Sequence, residues 1–435
     1  MPPGSEPIAD SPAASVAAPP AALHGAARHG AGPRAPSLER VRRGDLCAGC
    51  GACAAIAGGA VEMRMAPPGF LRPVETGPVP READRAIAAV CPGLVHEVRA
   101  GGRTDHPLWG PYLEMRTGHA ADPALRHRAS SGGALSAVLA HLLETGAVEG
   151  VLQVGADPDD PVGNAAVLSR TPEEVAHAAG SRYAPSAPLA GLESLLAAGR
   201  PLAFAGKPCD AAALRALMRV DGRAREVFPF VLSFFCAGVP ARAGAVEVLG
   251  ALGAPEGETR AFRYRGMGWP GRATATLADG SERSMTYHES WGRILSRHVQ
   301  HRCKICADGT GCDADLVCAD AWESDADGYP LFEEADGTSL IVARTEIGRR
   351  LMEEAEAAGR LATAPFDAAA LRPIQPGQVR RRTALAARLA ALRLLGLPVP
   401  RYAGLGIARA ARQGQPRWIL RNFLGTLRRN RRRNF

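Results

Sequence analysis

Cys47-Ala-Gly-Cys50-Gly-Ala-Cys53, followed at a distance by Cys91-Pro92, is the stretch on which the reading of this chain turns. A C-x2-C-x2-C run closed by a remote Cys-Pro is how ferredoxin-type modules hold a cubic iron–sulfur cluster. Three thiolates on one tight loop take three corners of the cube, and a fourth from elsewhere takes the last. Gly49 and Gly51 let the loop curl without a Cβ clash. In a two-cluster ferredoxin a further cysteine would follow four positions after Cys53, where this chain has Ala57. One [4Fe–4S] cluster, held by Cys47, Cys50, Cys53 and Cys91, is therefore expected in this segment. Structural zinc is the other chemistry that four thiols support, although zinc sites usually come as two C-x2-C pairs.

The surrounding composition fits a redox protein rather than a secreted or membrane one. Ten cysteines in 435 residues, with no basic-then-apolar start, argue for metal chemistry in the cytoplasm rather than a disulfide framework. No apolar run approaches the roughly 20 residues that span a bilayer. The net charge of +8 hides an asymmetry: residues 372–435 carry 16 arginines and no Asp, Glu or Lys, so the rest is net acidic. Such a tail points to an anionic membrane surface or an acidic protein partner. Nucleic acid is disfavoured because no reading motif accompanies the charge. Leu385, Leu389 and Leu392 would give the tail one apolar helical stripe, and Trp418, Phe423 and Leu424 further anchors.

Four regions are expected. Residues 1–40, rich in Ala, Pro and Gly, read as a disordered leader. Residues 41–105 form a small ferredoxin-like module, 106–365 a mixed-sheet α/β domain, and 366–435 an arginine-rich helical tail. The fold class is α/β (α+β). Strand-like runs at 150–154, 201–205 and 228–235 alternate with glycine turns and helical spacing such as 134–143.

Further motifs lie in the α/β domain. Ser130-Ser131-Gly132-Gly133 stands before a predicted helix, where exposed backbone N–H groups suit a diphosphate or simply cap the helix. Gly180-Ser181-Arg182-Tyr183 joins hydroxyl, guanidinium and aromatic groups. Cys209, in Gly206-Lys207-Pro208-Cys209, and Cys236 should both lie at carboxyl ends of strands, where open α/β sheets bind ligands. With the pair Cys303 and Cys306 they make a second four-thiolate set, for which Cys312 and Cys318 could compete. Phe262 to Gly271 combines two arginines, aromatic residues and a glycine-rich turn suited to a planar anion or to a plain hairpin.

Taken in order, these motifs, with Arg302-Cys-Lys-Ile-Cys-Ala-Asp308 and Ala314 to Trp322, resemble the coenzyme F420 hydrogenase/dehydrogenase beta-subunit family over about residues 44–360. The resemblance implies FAD beside cubic iron–sulfur clusters. It places Ser130, Ser131, Gly132, Gly133, Ser181, Arg182 and Lys207 near the flavin, and assigns Cys209, Cys236, Cys303 and Cys306 to a second cluster. Lys207 and Asp210 stand where smaller or amide residues would be expected. The resulting expectation is an oxidoreductase that takes electrons from a ferredoxin-like donor and passes them through the clusters and FAD to a small organic substrate. A non-catalytic electron-transfer beta subunit of a larger hydrogenase or dehydrogenase complex is the alternative. No catalytic acid can be named.

Overall fold

The computed structural model describes residues 34–321 and 334–431. Its centre is an eight-stranded mixed sheet. In spatial order the strands are Leu361–Pro365, Glu114–Ala120, Ser339–Ala343, Leu316–Asp320, Phe230–Phe234, Leu202–Gly206, Gly150–Ala156 and Asn164–Ser169. The four strands from Leu316–Asp320 to Gly150–Ala156 are parallel, and both flanks are antiparallel. The parallel strands read as near-continuous apolar runs because helices cover both faces. Helix Ala134–Glu144 packs on one face with Leu351 and Met352, and helix Pro208–Leu217 on the other with Phe204 and Phe228. This is the α/β (α+β) class expected. The strand-like runs and the helix at 134–143 stand where the sequence placed them.

The cysteine-rich N-terminal segment is built from helices Pro36–Gly44, Ala52–Ile56 and Arg81–Val90 and the hairpin Val61–Ala66/Phe70–Glu75. Residues 1–33 of the expected leader, like Trp322 and the final residues 432–435, lie outside the described residues. Its last residues are ordered, contrary to a boundary at 40. Leu38 and Val41, three apart on helix Pro36–Gly44, are buried, and Ser37 donates its backbone N–H to Asp84 at 3.1 Å.

The arginine-rich C-terminus is helical, but its first half belongs to the core. Helix Pro376–Leu394 buries Leu385, Leu389 and Leu392 together with Cys47, Leu94 and Ile305. Strand Arg401–Ala403 then pairs in parallel with Val95–Glu97 of the N-terminal segment. The expected apolar stripe is thus spent on internal packing. Helix Pro416–Asn430 lies outside it, against Pro376–Leu394.

Candidate functional site

Each cysteine of the first motif is buried or half-buried, and the four converge. Gly49 (φ +82°) and Gly51 (φ +88°) provide the left-handed turns. A Cβ on Gly51 would also meet the Ala190 nitrogen at 2.6 Å, so only glycine fits. Helix Arg81–Val90 ends at Cys91 and carries it back to the loop. Leu38, Val41, Ile56, Met63, Ile87 and Val90 line the cavity into which Cys47, Cys50, Cys53 and Cys91 face. Burial pushes the Cys91 thiol up to about 11 and raises the Cys50 and Cys53 thiols well above their ordinary value; after burial the largest influences include the neighbouring sulfurs. Backbone N–H groups aim at the sulfurs, with Gly49 donating to Cys47 Sγ at 3.4 Å and Gly93 and Leu94 pointing at Cys91.

A second quartet forms behind it. Cys209 sits in the first turn of Pro208–Leu217, just past the strand Leu202–Gly206, and Cys236 just past Phe230–Phe234. Both occupy the carboxyl ends that the sequence assigned them. Cys303 lies in the short helix His301–Lys304, and Cys306 follows it. Burial, then Asp210, pushes Cys209 far up, with Cys236 and Cys303 also acting on it; burial and Cys303 push Cys236 up to about 12. Val239 donates its N–H to Cys303 Sγ at 3.4 Å. Cys312 and Cys318 stand apart. Cys312 packs under Gly110 beside Arg344, while Cys318 faces Leu232 and Ile341 inside the sheet, where burial alone pushes it up to about 12.

Zinc and a cubic cluster ask for different sulfur spacings. Tetrahedral zinc, with Zn–S bonds of about 2.3 Å, draws its sulfurs to roughly 3.8 Å of one another. Among the described residues no three thiols lie within 4.8 Å of one another; the group that does is His96, Asp308 and Asp313. Four thiols in an apolar jacket with an N–H donor aimed at sulfur, as in the first quartet, fit a cubic cluster. The His96 group is a polar cross-link instead. His96 Nε2 meets Asp313 Oδ2 at 2.6 Å, and Asp308 accepts N–H bonds from Thr310 at 2.9 Å and Cys312 at 2.8 Å.

One short segment joins the two quartets. Gln300 donates its side-chain amide both to Ala48 O, inside the first loop, and to Cys303 Sγ, each at 3.4 Å. Arg302, 2% exposed, donates to Pro92 O at 2.9 Å, next to Cys91, while its own neighbour is Cys303. Its guanidinium acts on Cys47 and Cys91 on one side and on Cys209, Cys303 and Cys306 on the other. Arg302 lies in a quoted motif, but nothing in its spacing announces this bridging position. Gln300 was missed altogether, because an amide carries no periodic or ligand signal.

The loop that carries Cys303 and Cys306 is held by carbonyl bonds from the C-terminal segment. Arg388 donates to Lys304 O (2.7 Å), Tyr402 to Ile305 O (2.7 Å), Gln378 to Gly309 O and Cys236 O (both 3.1 Å), and Arg382 to Ala307 O. Sequence reading took these arginines as part of a charged tail. Their role depends on which carbonyls face them, which only the fold specifies.

The residues expected near a flavin fall into two places. Three motifs meet at one end of the sheet: Ser130 Oγ accepts the Ser181 N–H, and Gly268 donates its N–H to His127 O at 2.8 Å. Gly132 is wedged there, since a Cβ would meet Gly118 O and the Ser339 nitrogen, both at 2.7 Å; Gly133 (φ +73°) caps helix Ala134–Glu144. Ser131 donates to Thr338 O at 2.9 Å. Arg182 is committed to Asn164 Oδ1 and Gly163 O, both at 2.6 Å, and lies over the Tyr264 ring. Tyr183, Tyr264, Tyr287 and Trp291 form an aromatic group alongside, Tyr183 and Trp291 with centroids 4.8 Å apart. Lys207 is elsewhere, buried against Asp210 (2.8 Å) and Ser186 (2.7 Å) beside the second quartet. Burial opposes its charge, but Asp210 and the Cys209 and Cys236 sulfurs outweigh it and hold the ammonium above its ordinary pKa.

Comparison with known proteins brings these parts under one heading. Residues 115–193 match the N-terminal family model of the coenzyme F420 hydrogenase/dehydrogenase beta subunit, and residues 199–369 match its C-terminal model. The beta subunit of coenzyme F420 hydrogenase from Methanococcus voltae is 26% identical over 304 residues, spanning 67% of this chain and 99% of that protein. The beta subunit of F420-dependent formate dehydrogenase 1 from Methanococcus maripaludis is 24% identical over 254 residues, 58% of this chain and 61% of that one. A chain of the F420-reducing [NiFe] hydrogenase complex from Methanosarcina barkeri superposes with a TM-score of 0.49 at 20% identity, covering 64% of this chain and 95% of that chain.

Proposed function

We propose an electron-transferring flavoprotein role for this chain, which belongs to the coenzyme F420 hydrogenase/dehydrogenase beta-subunit family. The family is one of oxidoreductase complexes. The observation that carries the proposal is the pair of cysteine quartets, buried to half-buried, joined through Gln300 and Arg302. In this reading Cys47, Cys50, Cys53 and Cys91 hold one [4Fe–4S] cluster, and Cys209, Cys236, Cys303 and Cys306 hold a second. FAD lies where Ser130, Ser131, Gly132, Gly133, Ser181 and Arg182 meet the aromatic group, with Lys207 on the cluster side.

Bound clusters would supply one-electron steps and FAD a two-electron step, so a ferredoxin-like donor and an organic acceptor are matched to each other. The chain's own contribution is placement and polarity. Apolar walls keep water from the first quartet, and backbone N–H groups stabilise charge on the sulfurs. Arg302 places one positive charge between the two quartets, and Lys207 places another beside the second. Among the described residues no helix is long and apolar enough to cross a membrane.

A second reading has its own support. The curated relatives named above are subunits of larger enzymes, so the chain would be a relay whose catalytic partner is another polypeptide. One experiment addresses both. The full chain, reconstituted anaerobically, should hold about eight iron atoms and one FAD, and show broad absorption near 400 nm. About four iron atoms would remove the second cluster, and zinc in place of iron would overturn the proposal. Turnover of a candidate acceptor with reduced viologen by the chain alone favours the enzyme. Flavin reduction without any turnover favours the relay subunit.

A further inference from the structure

We propose that the outward face of helix Pro416–Asn430 docks on an anionic lipid surface; this is independent of the redox assignment. The most deeply buried positions of the helix are polar, and its apolar Trp418, Ile419, Phe423 and Leu427 are only half-buried. The side turned to the protein carries Asn422, Thr426 and Asn430, all buried, at successive i, i+4 positions. Each satisfies itself on the helix's own carbonyls: Asn422 on Trp418 O, Thr426 on Asn422 O and Asn430 on Thr426 O, at 2.7–2.9 Å. Arg388 from the neighbouring helix completes the contact by donating to Asn422 Oδ1 at 2.8 Å. The outward side carries Leu420 and Leu424, 58% and 54% exposed. A surface helix ordinarily does the opposite, burying its leucines and exposing its amides. Exposed leucines on a helix that buries polar residues instead are spent on something outside the chain.

Arginine identifies the occupant. Arg417, Arg421 and Arg428 share the exposed face with the two leucines, and Arg412 and Arg431 flank it. Among the described residues none of these five is in an ion pair, and the sequence from residue 372 onward holds no acidic side chain to supply one. Beside the stripe runs an open apolar groove lined by Ala387, Gly414, Ile419 and Phe423. Unpaired guanidinium groups alternating with leucines, next to an apolar groove, offer adjacent seats to a phosphate headgroup and an acyl chain. One lipid carries both groups, whereas an acidic protein surface would leave Leu420, Leu424 and the groove uncovered. The chain would lie on the bilayer with its body in water, since no described helix spans.

Flotation of the full chain with phosphatidylcholine vesicles, with and without phosphatidylglycerol, tests this. Binding should require phosphatidylglycerol and fall as salt screens the arginines. Joint Leu420→Ser and Leu424→Ser substitution should lower the bound fraction at least about tenfold. Arg417→Gln with Arg421→Gln and Arg428→Gln should reduce binding to the level on phosphatidylcholine alone. All five side chains are exposed, so circular dichroism melts should match wild type and a loss would not be misfolding. Equal recovery on both vesicle types, or undiminished binding by the leucine variant, would overturn the proposal. So would capture by polyglutamate at salt concentrations where vesicles fail, or a leucine-dependent dimer in sedimentation, which would assign the face to an acidic protein or to a second copy.

Discussion

Arg382→Met removes a guanidinium and leaves a side chain of similar reach. Arg382 is 4% exposed and donates to three carbonyls: Ala307 O, Pro107 O at 2.8 Å and Leu405 O at 2.5 Å. These belong to three chain segments otherwise distant in sequence, one of them the loop that follows Cys303 and Cys306. A hydrogen bond from a charged donor contributes about 1.5–3 kcal/mol, so three bonds set a loss of at least about 4.5 kcal/mol. Two effects reduce it. The Arg382 Nε is buried without a partner, and no carboxylate pairs with the charge, so its removal also relieves a desolvation cost. A net loss of about 3 kcal/mol is the expectation. The assay is a melt of the reconstituted chain paired with iron analysis, with the exposed Arg393→Met as control. Arg382→Met should melt earlier and hold about half the wild-type iron, because the second quartet loses its support. A variant that melts with the control and keeps its full iron would refute the idea that the C-terminal segment holds this loop.

Other substitutions separate the remaining parts. Cys50→Ala should cost about four of about eight irons while leaving FAD bound, and Cys303→Ala the other four; if either removes all iron, the quartets are not independent. Arg302→Leu should shift both cluster midpoints to more negative potential, because a buried positive charge favours the more negative reduced form, and a redox titration followed by electron paramagnetic resonance would read it. A shift in only one midpoint would show that Arg302 serves one quartet alone. Lys207→Met should cost about 3–5 kcal/mol in a melt by leaving Asp210 buried and unpaired, and adding Asp210→Leu should restore most of it. A single variant as stable as wild type would mean that Asp210 is neutral in the fold.

What the sequence disclosed follows from the kind of signal each part leaves. The C-x2-C-x2-C loop was legible because three ligands must share one tight turn, and a tight turn is a local pattern. Cys209 and Cys236 were legible as strand ends because one apolar run stops at Gly206-Lys207 just before Cys209 and the other runs up to Cys236 itself. The flavin motifs were visible as glycine clusters, yet Gly132 proves to be tight against Gly118 and Ser339. A bulky residue there would disturb the sheet edge whether or not a diphosphate binds, so the position cannot by itself locate FAD. The roles of Gln300, Arg382, Arg388 and Tyr402 were hidden because each is defined by a carbonyl far away in sequence, and a carbonyl has no sequence signature.

The C-terminal arginines show how one compositional signal can conceal two functions. Sixteen arginines without a single acid read as one tail with one purpose. In the fold they divide by burial. Arg382 and the half-buried Arg388 point inward onto the cysteine loop, whereas Arg417, Arg421 and Arg428 point outward beside Leu420 and Leu424. The first set lies on helix Pro376–Leu394, beyond the end of the family match at residue 369. With Gln378 of the same helix, which holds Cys236 O, it nevertheless holds the carbonyls of Lys304 and Ala307 on either side of Cys306, all within that match. Ending the chain near Gln375 would therefore remove the support of the second quartet together with the outward face. Such a truncation should lose iron as well as vesicle binding, whereas the outward substitutions should lose vesicle binding alone. Equal iron in the truncated and complete chains would mean that the loop holds its shape without Arg382, Arg388 and Tyr402, and that the whole arginine-rich segment is an appendage after all.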